Sequence, residues 1–435
     1  MRFTHLLLLG CMTAGVSAQD LTPKAGPQKM PTVLVNATIH TVSGPVIAKG
    51  FVLFEKGRIT QIGEGERMFP ATFRLIDCTG KHVYPGLISA QTQLGLREIG
   101  AVRASRDFAE VGQVTPEVRA AVAINPDSTL IPVARSNGIL TAAVLPRGGL
   151  LPGRASVVRL EGWTWEEMVI DADAGLVVNW PSVRPTANRR FDPSMEKQRN
   201  EIRDRLQRIR DTFEQARAYL ATRAADASTP VDLRWEGMRS VLEGKKPILV
   251  HAIDYDQIVS AVTFAAKQEL RIVILGGRDA PLCADLMRKH KVPVIVPGVF
   301  RWPKRRDQGY DHGYQLPQRL EAAGIDWCMT SGDRGAHERN LPYAAAMAVA
   351  HGLDKKIALE SITLRPARIL GLGKELGSID QGKRATMIVT DGDPLEVTTH
   401  VLQAFIDGRE VDLSNKQTEL DKKYREKYRQ LGLMK

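Results

Sequence analysis

Apolar and polar positions alternate along the early part of the chain. Val33-Leu34-Val35 leads into Ala37-Thr38-Ile39-His40, and Phe51-Val52-Leu53-Phe54-Glu55 runs through Lys56-Gly57 into Arg58-Ile59-Thr60-Gln61-Ile62. A period of two on either side of a Lys-Gly turn predicts a β-hairpin. The pattern returns near the C-terminus. Ala385-Thr386-Met387-Ile388-Val389 and Val401-Leu402-Gln403-Ala404-Phe405-Ile406 are strand-like, and Asp407-Gly408-Arg409-Glu410 is a turn. Two β-rich ends therefore flank a different middle. There, apolar runs precede segments of helical period. Leu140–Val144 leads to Pro146-Arg147-Gly148-Gly149, Pro247–His251 to Gln257–Gln268, and Arg271–Leu275 to Ala284–His290. Val292–Val296 leads to a loop with Gly298, and Asp326–Met329 to Leu341–His351. Strands followed by helices at this spacing predict βα units, a parallel sheet and a (β/α)8 barrel, whose chemistry sits at the C-terminal strand ends.

Two segments depart from that rhythm. From about Ser194 to Ala225 the chain is helical and charged, with Asp192-Pro193-Ser194 as its start. It reads either as a solvent-facing excursion with i,i+4 ion pairs or as a lid or dimer contact. Lys416 to Leu431 also reads as a mostly charged amphipathic helix.

A length of 435 residues fits a large barrel with an accessory domain, and 43% hydrophobic with 25% charged residues is an ordinary globular balance. The first 18 residues stand apart: Arg2, an apolar core opening at Leu6–Leu9, and Val16-Ser17-Ala18 before Gln19. This predicts a secretion signal and an exported protein, periplasmic or secreted. The weaker alternative is a lipoprotein box at Leu8-Leu9-Gly10-Cys11. Removal of residues 1–18 leaves Cys78, Cys283 and Cys328, an odd, widely spaced set that predicts buried thiols and no disulfide framework. The net charge is +11, with local excess in Trp302-Pro303-Lys304-Arg305-Arg306 and from Lys416 to Lys435. With no nucleic-acid motif beside it, this reads as a cationic surface; attraction to an anionic polymer or lipid head group is the other reading.

Tyr84-Pro85-Gly86-Leu87-Ile88 and the residues after it, as far as Gly95, resemble the first barrel strand of the amidohydrolase superfamily, which normally ends P-G-[LF]-[IV]-D-x-H-[TS]-H. Three further stretches are similar to its imidazolonepropionase-like and dihydroorotase-like members: Val133–Thr141, Pro247–Ala252 with Asp256-Gln257-Ile258, and Ala358–Thr363 through Gly377–Lys383 to Asp391–Leu395. The resemblance covers residues 31 to 412. It implies a barrel over 86–375 and a small β-sandwich from 31–85 with 376–412; the charged helix, placed over 413–435, lies beyond it.

The resemblance also implies a metal site: two histidines on strand one, a lysine or glutamate on strand four, histidines on strands five and six, and an aspartate on strand eight. Here the strand-one pair is Gln91 and Gln93, two residues apart and about 6.6 Å along the strand, so both still face one point. A neutral amide oxygen is a feeble ligand for Zn2+. His251 remains on strand five, Gly276 falls where strand six has its histidine, and Asp333 in Thr330-Ser331-Gly332-Asp333 is the strand-eight counterpart. No strand-four lysine stands out; Lys245 and Lys246 lie just before strand five. The expectation is no catalytic metal and no other cofactor, with weak binding of Zn2+ or another divalent ion left open.

His251 and Asp333 then form a candidate general-base pair, or His251 is a barrel residue satisfied by a hydrogen bond. Arg147, Gly148 and Gly149 in the glycine-rich run to Arg154 are candidate substrate contacts, or simply turn residues. Thr330 or Ser331 is a weaker nucleophile candidate. His312 and His337 lie in loops and read as surface histidines. Two functions compete: a hydrolase of C–N bonds, in non-peptide or cyclic amides, with a reduced site, or an inactive exported binding or partner protein. The expected partner is a small molecule, not nucleic acid, with a homo- or hetero-oligomer of related barrels as a further option.

Overall fold

The structure, a computed structural model, describes residues 19–20, 22–185, 193–332 and 335–434. The segment read as a secretion signal, with Cys11, and the candidate Asp333 lie outside the described residues. Five strands come first: β1 (Thr32–His40), β2 (Val46–Glu55), β3 (Arg58–Glu64), β4 (Arg74–Asp77) and β5 (His82–Pro85). Eight follow: β6 (Leu87–Thr92), β7 (Ile139–Val144), β8 (Gly153–Arg159), β9 (Val169–Asn179), β10 (Ile248–Ala252), β11 (Ile272–Gly276), β12 (Val294–Pro297) and β13 (Trp327–Thr330). β14 (Met387–Thr390), β15 (Val401–Ile406) and β16 (Arg409–Glu410) close the set.

The two chain ends build one connected sheet, in the order β16-β15-β14-β5-β1-β2-β3 with β4 added on β1. The β2–β3 hairpin turns at Lys56 and Gly57, with φ of 52° and 78°. Both values are left-handed, the type I′ condition that matches strand twist. Leu34, Val52, Phe54, Met387 and Phe405 are among the apolar residues packed in its core. The sheet rests on the barrel through Tyr84, Leu140, Ile388, Ala404 and Ile406.

The barrel sheet follows chain order from β6 to β13. Alternation sorts its side chains: Leu249 faces the barrel interior with Val177, Leu275 and Ile295. Ile248 and Val250 face outward, in the cluster that includes Ile258 and Val262 of the helix Tyr255–Lys267. The strand–helix rhythm predicts an all-parallel sheet, and one strand differs. β8 is antiparallel to both β7 and β9, while the remaining neighbours are parallel. The reason is the connection. Only residues 145–152 join β7 to β8, and a parallel pair needs a crossover of a dozen or more residues.

β6 and β13 stand at the two ends of this sheet. Side chains bridge them: Thr330 Oγ1 donates to the Gln91 carbonyl (2.7 Å) and lies 2.9 Å from Ser89 Oγ. Lower down, the Ile88 N–H donates to Ile362 O (2.8 Å) and the Met329 N–H to Ser361 O (2.9 Å). A short strap of chain thus fills the seam.

The long helix spans Met195–Ala225, capped by Ser194 Oγ accepting from the Lys197 N–H at 3.2 Å. Of its 31 residues only Ile209, Thr212, Phe213 and Ala216 are buried. Lys416–Gln430 forms a helix with no buried residue, started by an Asn415 capping box. Cys78, Cys283 and Cys328 are free and buried. Among the described residues no helix is long and apolar enough to cross a membrane.

Candidate functional site

The C-terminal strand ends open into a cavity of about 260 Å3. β6 brings Gln91, β10 brings His251, and β11 brings Leu275 and Gly276 with Arg278 just beyond. β12 brings Val296 and Pro297, and the chain after it adds Gly298, Arg301, Trp302 and Lys304. Arg147 reaches in from the turn after β7. Strand alternation places His251 here, because it shares the inward face with Leu249. A larger cavity of about 630 Å3 lies at the opposite end, among Pro247, Arg271, Pro293 and Asp326, which precede their strands. In this fold that face carries stability and the other carries chemistry, so the smaller cavity is the candidate site.

The positions singled out in the sequence separate in space. Gln91, His251, Gly276 and Arg147 meet at the cavity. Gly148 and Gly149 do not line it; both carbonyls accept from Asn179 Nδ2, at 3.0 and 2.9 Å, which pins the turn to β9. Gln91 and Gln93 are buried, at 3% and 2% exposure. The Gln93 amide oxygen and nitrogen have no hydrogen-bond partner among the described residues. Gly276 has φ 118°, and a Cβ built on it would come within 2.9 Å of Ala252 O. The backbone there suits glycine alone.

The hydroxyl candidates have structural partners. Thr330 closes the seam, and Ser331 Oγ donates to Glu338 Oε1 at 2.6 Å. Glu338 is fully buried and also accepts from Thr92 Oγ1. Lys245 pairs with Glu243 and Lys246 with Asp171, both away from the cavity. His337 is exposed, in the turn Gly335–Asn340. His312 instead lines the cavity, with Nδ1 3.1 Å from Arg319 Nη1. Burial first, and then the Arg319 and Arg305 charges, hold its pKa below the usual imidazole value. Among the described residues no three His, Cys, Asp or Glu side chains group closely enough to hold a metal.

Sequence reasoning missed Arg278 and Asp279. Asp279 is 1% exposed at its side chain and receives Arg278 at 3.2 Å and Arg305 at 2.8 Å. Burial works to raise its pKa, but hydrogen bonds from the two guanidiniums outweigh this and the pKa ends below the usual carboxylate value. The Arg-Asp dipeptide after a strand end was the available signal. The basic Trp302–Arg306 run was visible, but its place at the mouth was not.

A profile described as the Amidohydrolase family matches residues 308–415. The chain is similar to the amidohydrolase tasK of Hapsidospora irregularis, 22% identical over 392 residues, covering 82% of this chain and 39% of tasK. It is 42% identical over 57 residues to the N-substituted formamide deformylase of Arthrobacter pascens, covering 12% of this chain and 10% of that enzyme. The chain thus spans well under half the length of either curated relative. Among solved structures, an amidohydrolase from Thermotoga maritima MSB8 aligns with a TM-score of 0.78 at 25% identity, over 88% of this chain and 99% of that one. Molinate hydrolase aligns with a TM-score of 0.56 at 16% identity, over 90% of this chain and 96% of its own, a likeness of fold alone.

Proposed function

Since the chain belongs to the amidohydrolase superfamily of hydrolases, we propose that it keeps the family's barrel mouth as a small-molecule site but works without metal-activated water. The observation behind this reading is the donor set. Where the resemblance implies three imidazoles, the chain offers two carboxamides and a glycine whose φ of 118° disfavours any side chain. His251 and Asp333 are two ligands at most, and a hydrolytic Zn2+ site needs three plus an open position. The residues present do not fit the ion.

Magnitudes favour binding over hydrolysis. Bound Zn2+ lowers the pKa of water from about 15.7 to about 7. A general base alone contributes about 10^2- to 10^4-fold. The test is metal content: protein produced in medium holding Zn2+ and Mn2+ is expected to carry far less than one ion per chain. About one tightly held ion per chain would sink the reading.

A second reading, hydrolysis of a C–N bond with His251 as general base and Asp333 orienting it, is favoured by one observation: His251 lines the same cavity as Gln91. Metal-free protein would then hydrolyse N-acyl amino acids or cyclic amides, and His251→Gln would abolish the turnover. Turnover unchanged in that variant would remove this reading. Export belongs to the same proposal. N-terminal sequencing of the mature protein is expected to begin at Gln19, and a chain starting at a lipid-modified Cys11 would mean anchoring instead. Pairing with a related barrel is also proposed, and a monomer mass for the mature protein in solution would remove its homo-oligomeric form.

A further inference from the structure

We propose that the protein carries a second ligand site, away from the barrel mouth, for a small organic anion: a carboxylate or phosphate borne on a flat ring. The site is a groove of about 690 Å3 between the terminal sheet and the barrel. The sheet supplies Lys56 and Arg58 at the β2–β3 turn, Arg384 before β14 and Arg409 at the β15–β16 turn. The barrel supplies Arg159, the last residue of β8, and Trp163 just beyond it. Two features of the fold gather these cations. The hairpin turns meet at their glycines, where a Cβ on Gly408 would lie 3.1 Å from Gly57 Cα. β8 runs against its neighbours, so Arg159 pairs with Thr141 near the start of β7, at the barrel end opposite the mouth.

Carboxylates offset only part of this charge. Asp407 is shared by Arg159 at 2.9 Å and Arg384 at 3.2 Å. Glu375 is shared by Arg384 at 2.8 Å and Arg58 at 3.8 Å. Glu167 lines the groove and accepts the Trp163 N–H at 2.9 Å. Five cations thus face three carboxylates, and Lys56 and Arg409 have no ion-pair partner among the described residues. The acidic residues outside that set, Asp192 and Asp333, adjoin the long helix and β13 in the chain, and neither element contributes a residue to the groove. The Arg159 pKa lies below the usual guanidinium value: burial is the main cause, Asp407 opposes it, and the Arg384 and Arg409 charges add to it. Converging like charges repel, and an anion placed among them removes that repulsion and gains charge-assisted hydrogen bonds. The guanidinium fork matches a carboxylate or phosphate edge.

The aromatic residue of the groove describes the rest of the ligand. Trp163 lines it while 59% exposed, and its backbone is held by Glu167. An indole so placed can cover a flat ring whose charged substituent points at the cations. At about 690 Å3 the groove falls within the ~300–1,000 Å3 common for small-molecule sites.

The experiment titrates the full-length mature protein with phenyl phosphate, phthalate, benzamide and benzylamine at low salt. Heat and tryptophan fluorescence are the readouts. At least one anion is expected to bind about tenfold or more tightly than benzamide, to weaken with added salt, and to change fluorescence. Benzylamine is expected not to bind. The double variant Lys56→Gln, Arg409→Gln loses no ion pair and should fold as the wild type, yet weaken the anion about fivefold or more. Trp163→Phe should remove the fluorescence change, and His251→Gln, at the mouth, should leave the anion's affinity as it is. A smaller preference over benzamide, or benzylamine binding as tightly as the anion, would overturn the charge assignment and the proposal with it. A smaller loss in the double variant, or a loss in His251→Gln, would place the anion elsewhere and overturn the proposal. A fluorescence change that survives Trp163→Phe would overturn the placing of the ring. No binding by either anion would overturn the ligand class.

Discussion

A carboxamide is close to an imidazole in size and far from it in what it offers a cation. Where the family resemblance implies histidines, Gln91 and Gln93 offer a similar reach without the strong donor nitrogen. For Gln93 the amide is buried, at 2% exposure, with neither polar atom partnered among the described residues. Such a group costs about 1–3 kcal/mol. The position has therefore not been optimised into an apolar core. Restoring histidine at both positions is expected not to recover stoichiometric zinc, measured by elemental analysis, because position 93 is not among the residues lining the cavity and the strands would bring imidazoles to it only from positions 91 and 251. Adding Gly276→His should lower stability by about 2 kcal/mol or more, since φ is 118° and the new Cβ would meet Ala252 O at 2.9 Å. Tight zinc in the double variant would show that positions 91, 93 and 251 converge on one ion. At this scale the chain was partly legible. The two glutamines stood in a motif, and the motif supplied their direction. Glu338 carried no such signal, because its partner Thr92 is 246 residues away. Arg278 was hidden likewise: its meaning comes from Arg301 and Lys304, which reach the same cavity from another connection.

The long charged helix Met195–Ala225 is held by a narrow apolar stripe. Phe213 packs edge-on against Phe264 with ring centroids 5.4 Å apart, and Phe264 meets Trp180 at 5.3 Å. Ile209 and Ala216 complete the contact on the same face. Phe213→Ala is expected to cost about 3–4 kcal/mol in denaturant unfolding, and Arg205→Ala within about 0.5 kcal/mol. Equal effects would mean that the helix is held by its charges. This element was readable because a start signal, Ser194, precedes an unbroken helical period. The two hairpin turns, Lys56-Gly57 and Asp407-Gly408, were readable for a similar local reason, since all four residues adopt positive φ. The reversal of β8 was not. A period of two looks the same in either direction, and only the connection from Val144 to Gly153 sets which way the strand runs.

At the scale of the whole molecule, the terminal sheet and the barrel meet near a histidine pair. His40 Nε2 lies 3.1 Å from His82 Nδ1, and the His40 ring stacks on Tyr84 at 4.0 Å. Lys355 pairs with Asp393 nearby at 2.6 Å. Burial, and then the His82 charge, push the His40 pKa down to about 4. A depressed value means that the unfolded chain takes up the proton first. The contribution is therefore whole above about pH 6.5 and is lost as the pH falls towards 4. The loss should be on the order of 2 kcal/mol. His40→Asn should flatten the fall in unfolding midpoint between pH 7 and 4.5, and an unchanged slope would assign the acid sensitivity to other groups. The barrel itself was legible as a count of strand–helix units, but its closure was not. A barrel joined by ladders all round has no free strand edge. This one has two, on β6 and β13, facing each other across hydroxyl contacts and the strap at Ser361 and Ile362. Without the strap, both strands would offer unpaired amides and carbonyls to any other extended chain, the template from which aggregates grow. Those few residues, remote from the cavity, thus occupy backbone groups on the two facing strands that another extended chain could otherwise pair with.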